Sequence, residues 1–537
     1  MLDVLIVGAG PTGLALAAQL RALGTTVRIV DRQHDRTHES RALAVQPRTL
    51  EVLRAVGLSQ ALIDRGRQAV GLQLHLGTRI VRVPLFDVGL EDTAYPFLLF
   101  ISQAETEAIL NEHLTAGGVH VERPVKLVAF EDGQDGVGCT LRHTGGRDER
   151  VHARYLVGCD GNQSTVRSLA GIPFTGGAYP QTFALGDLEA DGDLERGTAH
   201  AFLGERGMLF FFPLGRPATW RMLGMLPAPR RSGDGEPDRM EVTLDDLQAI
   251  ADAFTGGTVD LRDPVWLTDF RIHHRQATRY RAGRVFIGGD AAHVHSPAGA
   301  QGMNTGIQDV WNLGWKLSLA STGVAGDALL DSYQAERWPV GRFVLRFTDR
   351  AFRLSTSGNR FVRLMRAQVA PRLGSLALRL ARLRARGFRV VSQLDISYRR
   401  SPIVEEGHPP GGRAPRAGDR LPDAPILVDG QPRWLQEALA APSFHLLLCG
   451  PAGGWDRDQL AAIRARYAGL VALHRLAREA APGVLHDAQG LALARLGVKH
   501  AAHYLVRPDG HIGFRAAGTE LGGLQRHLAR WLPGAHA

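Results

Sequence analysis

The chain opens with a short, mostly apolar run, Leu2 to Val7, a glycine-rich turn, and an Ala/Leu-rich stretch from Leu14 to Leu23. A second apolar run, Thr26 to Val30, follows and is closed by Asp31. Short apolar runs of this kind predict buried parallel strands, and Gly24 suits the end of the helix between them. The opening therefore reads as one βαβ unit. Beyond it, residues 45–66 predict a helix, the alternation from 68 to 100 predicts strands, and Thr106–Ala116 predicts a second helix. Short strands are expected near 119–122 and 126–131. Tyr155–Gly161 and Arg284–Asp290 each read as a strand that stops at a Gly/Asp turn. Residues 180–230 read as a β-rich insertion, and 302–320 and the Arg-rich 340–395 as helical. A Pro/Gly cluster between 405 and 425 marks a linker. Strands at Ser443–Cys449 and His503–Val506, a helix near 457–468 and a last amphipathic helix then describe a small α/β domain.

Composition narrows the class. A chain of 537 residues, 44% hydrophobic and 22% charged, is long enough for two or three domains with a sizeable core. The net charge is +9, yet Lys126, Lys316 and Lys499 are the only lysines, so the excess is arginine. Those arginines are scattered, which argues against a nucleic-acid surface. They suit a coding bias toward Arg, or attraction of anionic cofactors. Cys139, Cys159 and Cys449 have neither redox nor metal-ligand spacing, which suits a reducing, cytoplasmic setting. No basic-then-apolar leader begins the sequence, and no apolar segment has the length of a membrane span.

The chemistry begins at Gly8-Ala9-Gly10-Pro11-Thr12-Gly13. The first glycine permits a tight turn, the second lets backbone approach a pyrophosphate, and the third seats the helix against the strand. The helix N-terminus offers N–H groups and a positive dipole end to phosphate. Asp31, with Arg32 beside it, ends the second strand where a carboxylate can accept from a ribose hydroxyl. This unit predicts dinucleotide binding but leaves FAD and NAD open. Later junctions narrow the choice. Asp160-Gly161 and Gly289-Asp290 both end apolar strands, and Ala291-Ala292-His293, Pro297, Gly299 and Gln301-Gly302-Met303-Asn304 follow before a helix. Asp290 is placed to meet ribityl or ribose hydroxyls of an extended cofactor. His293 and His295 have a spacing that could suggest a metal, but no third ligand is evident, so no metal is expected.

These motifs together resemble the class A FAD-dependent aromatic hydroxylases, the family of p-hydroxybenzoate and phenol hydroxylases. The closer likeness is to members acting on polyketide aromatics and rifamycin-type antibiotics. The resemblance spans nearly the whole chain and implies FAD as resident cofactor, NADPH or NADH as electron donor, and O2. It implies that Arg41 and Gln103 contact the FAD phosphates or ribityl chain. It also implies that the backbone of Gly302, Met303 and Asn304 cups the isoalloxazine, and that Pro297 lies beside the flavin edge and substrate. Asp160 is similar to an acid between the FAD and NAD(P)H regions. The implied fold is α/β. A Rossmann-like FAD-binding domain would comprise 1–175 and 265–400, with part of the substrate region near 68–100. A β-rich substrate-binding domain would occupy 176–264, and a thioredoxin-like C-terminal domain 415–537. That last domain lacks Cys-x-x-Cys, so packing or a homodimer contact is expected of it rather than redox chemistry. Phe211 and Trp220 are expected at the substrate wall, with Phe210 and Phe212 beside them, though core packing would place aromatic residues there equally well. The implied reaction hydroxylates a phenolic or polycyclic aromatic small molecule through a flavin C4a-hydroperoxide. Baeyer–Villiger oxygenation, flavin-dependent substrate binding without oxygenation, and simple dehydrogenation are the alternatives.

Overall fold

The computed structural model describes all residues except 37–41, 69–70, 77–78, 84–89, 205–206, 216–217, 227–241, 296–300, 357–380, 409–413, 452–453 and 536–537. Its first sheet runs in the order Arg281–Ala282, Val285–Ile287, Asp148–Gly158, Leu2–Val7, Val27–Val30, Val121–Glu122. The last five of these strands are mutually parallel. A hairpin, Val125–Asp132 with Val137–His143, adds antiparallel strands beside Asp148–Gly158. The four central strands end fully buried, as expected of a sheet covered on both faces.

The register carries the functional consequence. Gly8 N–H donates to Val30 O (2.8 Å), Cys159 N–H to Val7 O (2.7 Å) and Gly288 N–H to Gly158 O (3.0 Å). Three strands therefore finish side by side, and the turns that follow them share the crevice beyond the carboxyl edge. In open α/β sheets this is where ligands bind.

The helix expected at 45–66 is two. Pro47–Arg54 and Ser59–Arg65 are separated at Gly57, whose φ of 76° ends the first one. The helix expected from Thr106 begins earlier, at Gln103, because Ser102 caps it by accepting from Glu105 N–H. The Arg-rich region contains helices Asp327–Thr356 and Ala381–Val391; what lies between falls outside the described residues. No described helix is long and apolar enough to cross a membrane.

The second sheet holds eight strands and includes Gly71–Leu76 and Arg79–Val83, as the alternation near 68–100 implied. Its backbone is the long antiparallel pair Phe174–Gly192 and Val259–Ala277, which runs on past the domain limits expected at 175 and 264. Helix Leu244–Thr255 covers one face. Its Leu247, Ile250 and Ala251 pack on Phe211, Trp220 and Met222.

The third sheet forms the C-terminal domain and is thioredoxin-like. Phe444–Cys449, Val471–Ala477 and Val484–His486 are parallel, with helix Arg457–Arg466 between the first two, and the antiparallel strands Ala502–Val506 and Ile512–Ala517 flank them. Cys449 is buried, and burial pushes its thiol well above the ordinary range, so no thiolate forms there.

This domain is joined to the first by buried charge. The turn after Ala502–Val506 inserts Arg507 and Asp509 against the helices Gly302–Ser321 and Asp327–Thr356. Arg507 donates to both Glu336 oxygens (2.6 and 2.9 Å) and also pairs with Asp509. Lys316 Nζ (2.8 Å) and Asn312 Nδ2 (2.6 Å) reach the same Glu336. A second cluster joins Arg420 to Glu51 (3.0 Å) and to Asp92. Every member of the first cluster is buried, so each charge depends on its partners.

Burial alone would raise the Glu336 carboxyl, but Arg507 and Lys316 override it and hold it down to about 2. This folded value lies below the ordinary 4.5. Its stabilisation is thus fully present above the ordinary value and is lost as pH falls toward the folded one. Urea denaturation should show a midpoint that declines through this acid window. Glu336→Gln should cost about 3–5 kcal/mol at pH 7 and flatten the acid decline.

Candidate active site

The first strand ends at Gly8, whose φ is 105° and where an added Cβ would lie 2.3 Å from Cys159 O. At Gly13 it would lie 1.9 Å from Gly8 O, so only glycine lets the helix Pro11–Ala22 start this close to the turn. Gly10 differs: an added Cβ would meet no atom within 4 Å. It borders open space at a helix N-terminus that no side chain caps. This is the opening a pyrophosphate requires.

Asp31 is fixed at the end of the second strand. Its Oδ2 accepts from Ala9 N–H (2.7 Å) and its Oδ1 from Gln33 N–H (2.8 Å), while Arg123 Nη1 stands 3.3 Å away. Ala9 and Arg123 line an adjoining cavity of about 240 Å3 with Glu107, Asn111 and His120. Arg32, next to Asp31 in the chain, is exposed. Arg123 and Asn111 carry no motif in the sequence; Arg123 is placed by the pairing of Val121–Glu122 with the second strand, and Asn111 by the helix Gln103–Ala116.

Further along the crevice, Gly289 and Asp290 lie in a single 3₁₀ turn, Gly289–Ala291. Added Cβ atoms at Gly289 and at Gly306 would each lie 2.6 Å from Thr12 Oγ1. Thr12 is therefore the point where three segments meet: the glycine turn, the Gly-Asp turn and the helix Gly302–Ser321. The sequence marks Thr12 and Gly289 but not Gly306.

A buried ion network holds this junction, and sequence reasoning missed it. Asp309 Oδ2 accepts from Gly289 N–H (3.2 Å) and bonds His293 Nε2 (2.6 Å), while its Oδ1 accepts from Arg337 Nε (2.7 Å). Arg337 also donates to Thr305 O (3.1 Å) and Tyr398 Oη (2.9 Å). Burial would raise the Asp309 carboxyl, but Arg337 and His293 outweigh it and keep the group below the usual carboxylate range. His293 thus holds the Gly-Asp turn through Asp309. The described residues contain no group of three or more His, Cys, Asp or Glu able to hold a metal. The available signal was Asp309 itself, an acid in a helix buried nearly throughout.

The turn Gln301-Gly302-Met303-Asn304 opens that helix, again with no side-chain cap. Asn304 is fully buried and binds backbone, donating to Ala44 O (2.7 Å) and accepting from Gln46 N–H (2.9 Å). Its side chain is thus structural, and its backbone is what can face a ring. Gln103 begins its helix, receives structure from Ala42 O through its own N–H (3.1 Å), and donates to Glu107 (2.8 Å). Asp160 accepts from Thr165 N–H (2.6 Å), Val166 N–H (3.2 Å) and Ser164 Oγ–H. Its carboxylate anchors the short helix Thr165–Leu169 beside the crevice. Arg41, Pro297 and Gly299 lie outside the described residues.

The aromatic run expected at the substrate wall divides between two faces of the sheet. Phe211 and Trp220 are buried in the layer under helix Leu244–Thr255, edge to face with ring centroids 6.3 Å apart. Strand alternation turns them toward that helix. The opposite parity presents Phe210 and Phe212, stacked at 5.7 Å, and Phe212 stacks on Phe100 of the first domain at 5.9 Å. Tyr179, Phe183, Trp266 and Phe270 pack on the same face. Arg221 crosses to the first domain from that face too, paired with Asp187 (2.6 Å) and donating to Ala42 O (2.9 Å).

Comparison with known proteins adds independent findings. A family model described as an FAD binding domain matches residues 1–348, and one described as aromatic-ring hydroxylase, C-terminal, matches 414–535. The 6-methylpretetramide 4-monooxygenase of Streptomyces rimosus is 37% identical over 534 residues, 97% of this chain and 92% of that one. Among solved structures, OxyS anhydrotetracycline hydroxylase from Streptomyces rimosus superposes with a TM-score of 0.78 at 32% identity, covering 100% of this chain and 99% of that one. The flavin-dependent monooxygenase PieE, in complex with FAD and substrate, gives 0.81 at 26% identity and 99% coverage of both chains. A Diels–Alderase of pyrroindomycin biosynthesis gives 0.73 at 28% identity, covering 100% of both.

The two glycines of the first turn should separate ligand binding from folding. Gly10→Val should leave the thermal midpoint nearly unchanged yet weaken FAD binding about 100-fold, or roughly 2.7 kcal/mol. Gly13→Ala should lower stability by about 1–3 kcal/mol or more, because its methyl has no room. Differential scanning fluorimetry and flavin fluorescence titration read the two effects.

Proposed function

The chain belongs to the FAD-dependent aromatic-ring hydroxylases, and from that premise we propose that it uses NAD(P)H and O2 to hydroxylate a polycyclic phenolic small molecule. The observation that carries this reading is one crevice shared by Gly10, Asp31, Gly289 and Gly302, with an aromatic face of the second sheet turned toward the same domain. A phosphate-and-ribose site at one end and a flat apolar surface at the other suit an extended flavin and a planar substrate. The sequence identity with an enzyme whose name denotes a 6-methylpretetramide monooxygenase supports a polyketide-derived ring system.

FAD, when bound, supplies the chemistry: it takes electrons from NAD(P)H and delivers one oxygen atom of O2 to the substrate. The protein's own residues do the rest. Asp31 holds the adenosine end, with Arg32 at its side. Gly8, Gly10, Pro11, Thr12 and Gly13 bring the helix end to the phosphates. Gly289 and Asp290 would meet the ribityl chain, with Gln103 and, at the crevice margin, Asp160 beside them; the resemblance adds Arg41, which lies outside the described residues. The backbone of Gly302, Met303 and Asn304 faces the ring, where the helix dipole favours a negative reduced flavin. Pro297 and Gly299, outside the described residues, are assigned to the flavin side by the family resemblance alone. Phe210 and Phe212 close the substrate side and exclude water. NAD(P)H binds transiently, since the sequence carries no second Gly-x-Gly-x-x-Gly unit.

A second reading has one specific support, the likeness to a Diels–Alderase structure across the whole chain. In that reading the flavin is held as scaffold and the substrate gains no oxygen. The purified protein should be yellow and should oxidise NADPH faster with polycyclic phenols present. Product mass should rise by one oxygen; a product of unchanged mass would favour the scaffold reading. A lactone in place of a phenol would assign Baeyer–Villiger chemistry to the same site.

The two parities of the aromatic strand should also behave differently. Phe211→Ala should cost about 3–5 kcal/mol of stability, measured by urea denaturation. Phe212→Ala should cost less stability but raise KM about tenfold, equivalent to roughly 1.4 kcal/mol of lost apolar contact.

A further inference from the structure

Among the described residues, three that are not glycine have positive φ: Asp263, Gln393 and Asp429. Aspartate adopts this region readily, because its short polar side chain bonds locally; glutamine does not. Gln393 has φ 61° and is 2% exposed. It lies just beyond helix Ala381–Val391, and the following Leu394 N–H bonds back to Arg389 O (3.1 Å). This is the helix-ending position where glycine is the usual residue. Glycine would serve the backbone better, by about 1 kcal/mol or more. The glutamine side chain therefore needs its own account.

Its amide is fully engaged. Nε2 donates to Gln301 Oε1 (2.5 Å) and to Thr305 Oγ1 (2.8 Å), and Oε1 accepts from Gln308 Nε2 (2.5 Å). Gln301 in turn donates to Val391 O (2.8 Å). All three partners of Gln393 belong to the first turns of the helix Gly302–Ser321 or to the residue just before it. Gln301 immediately precedes that helix, and its side-chain oxygen makes no cap bond to the first turn. Gln393 holds that oxygen instead.

We propose that Gln393 is a positioning residue for the flavin: by drawing the Gln301 amide aside, it leaves the first-turn N–H groups and positive end of helix Gly302–Ser321 facing the isoalloxazine. The inference rests on the reading that the ring lies against Gly302–Asn304. Without Gln393, the Gln301 oxygen loses its Nε2 donor and can turn toward the first-turn N–H groups while its amide stays on Val391 O, and the reduced, negatively charged flavin loses part of its stabilisation.

The test uses the full chain loaded with FAD, comparing wild type with Gln393→Gly and Gln393→Met. Gln393→Gly removes the amide while easing the backbone, so the fold survives. Both variants should bind FAD about fivefold more weakly, a factor within the range of helix-end charge effects. Their bound flavin should also have a lower midpoint potential and an altered visible spectrum. A role in local folding alone predicts lower thermal stability for the variants with no change in potential or spectrum, and that result would overturn the proposal. Gly302→Val serves as the reference for ring position. If it perturbs the flavin while both Gln393 variants match wild type, only the role of Gln393 falls. If Gly302→Val also leaves affinity and spectrum untouched, the ring lies elsewhere and the proposal falls with that reading.

Discussion

The buried Asp309 carboxylate is the interaction on which the crevice depends. It faces the first residue of the Gly-Asp turn, an imidazole from the strand beyond it and a guanidinium from the next long helix. A lone carboxylate at this depth would be costly, and here three donors from three elements satisfy it. In doing so they set the distance between two motifs that are twelve residues apart in sequence, Asp290 and Gly302. The Thr12 hydroxyl then fits only because glycines at 289 and 306 leave it room. Charge pairing fixes the elements laterally, and missing side chains let them approach.

The same logic extends outward. Arg337 passes the network to Tyr398, and the Tyr398 ring lies tilted against His511 of the C-terminal domain with centroids 4.3 Å apart. Glu336, the neighbour of Arg337, receives Arg507 of that domain directly. One helical segment thus serves the cofactor crevice with one residue and the domain junction with the next. Burial makes both sets of contacts stringent, since each unpaired member would stand as a charge in a low-dielectric interior.

Much of this was legible in the sequence where local chemistry determines structure. The glycine turn, Asp31 and the two Gly-Asp junctions each carry their reason within a few residues, and the sheet register brings them together as the spacing implied. A small α/β C-terminal domain was legible from the linker and its strand pattern, and its thioredoxin-like character from the family resemblance. What was not legible depends on partners distant in sequence. Asp309 and Arg337 read as ordinary charges on helices. Arg123 acquires a role only because Val121–Glu122 pairs with the second strand. Asn304 read as part of a ring-facing turn, whereas its amide belongs to Ala44 and Gln46. For Phe210 to Phe212 the alternation was visible, but not which parity faces the helix. A run of aromatics is compatible with either face, and only helix Leu244–Thr255 decides it. Gln393 is the clearest case, because nothing local favours a glutamine at a positive φ, and its side-chain partners lie on a different helix and just before it.

The inserted turn at Arg507–Asp509 has a consequence for how such enzymes can be recombined. A C-terminal domain joined at a flexible linker could be exchanged among relatives as a module. Here the domain contributes a guanidinium and a carboxylate to a closed ionic cluster whose other members, Lys316, Glu336 and Asn312, sit on helices of the first domain. A chimera cut anywhere in the proline- and glycine-rich segment before Pro425 would separate these partners by parentage. The two halves of the chain therefore form one unit of inheritance, and substitutions at the cluster are expected to arise as coordinated sets rather than singly.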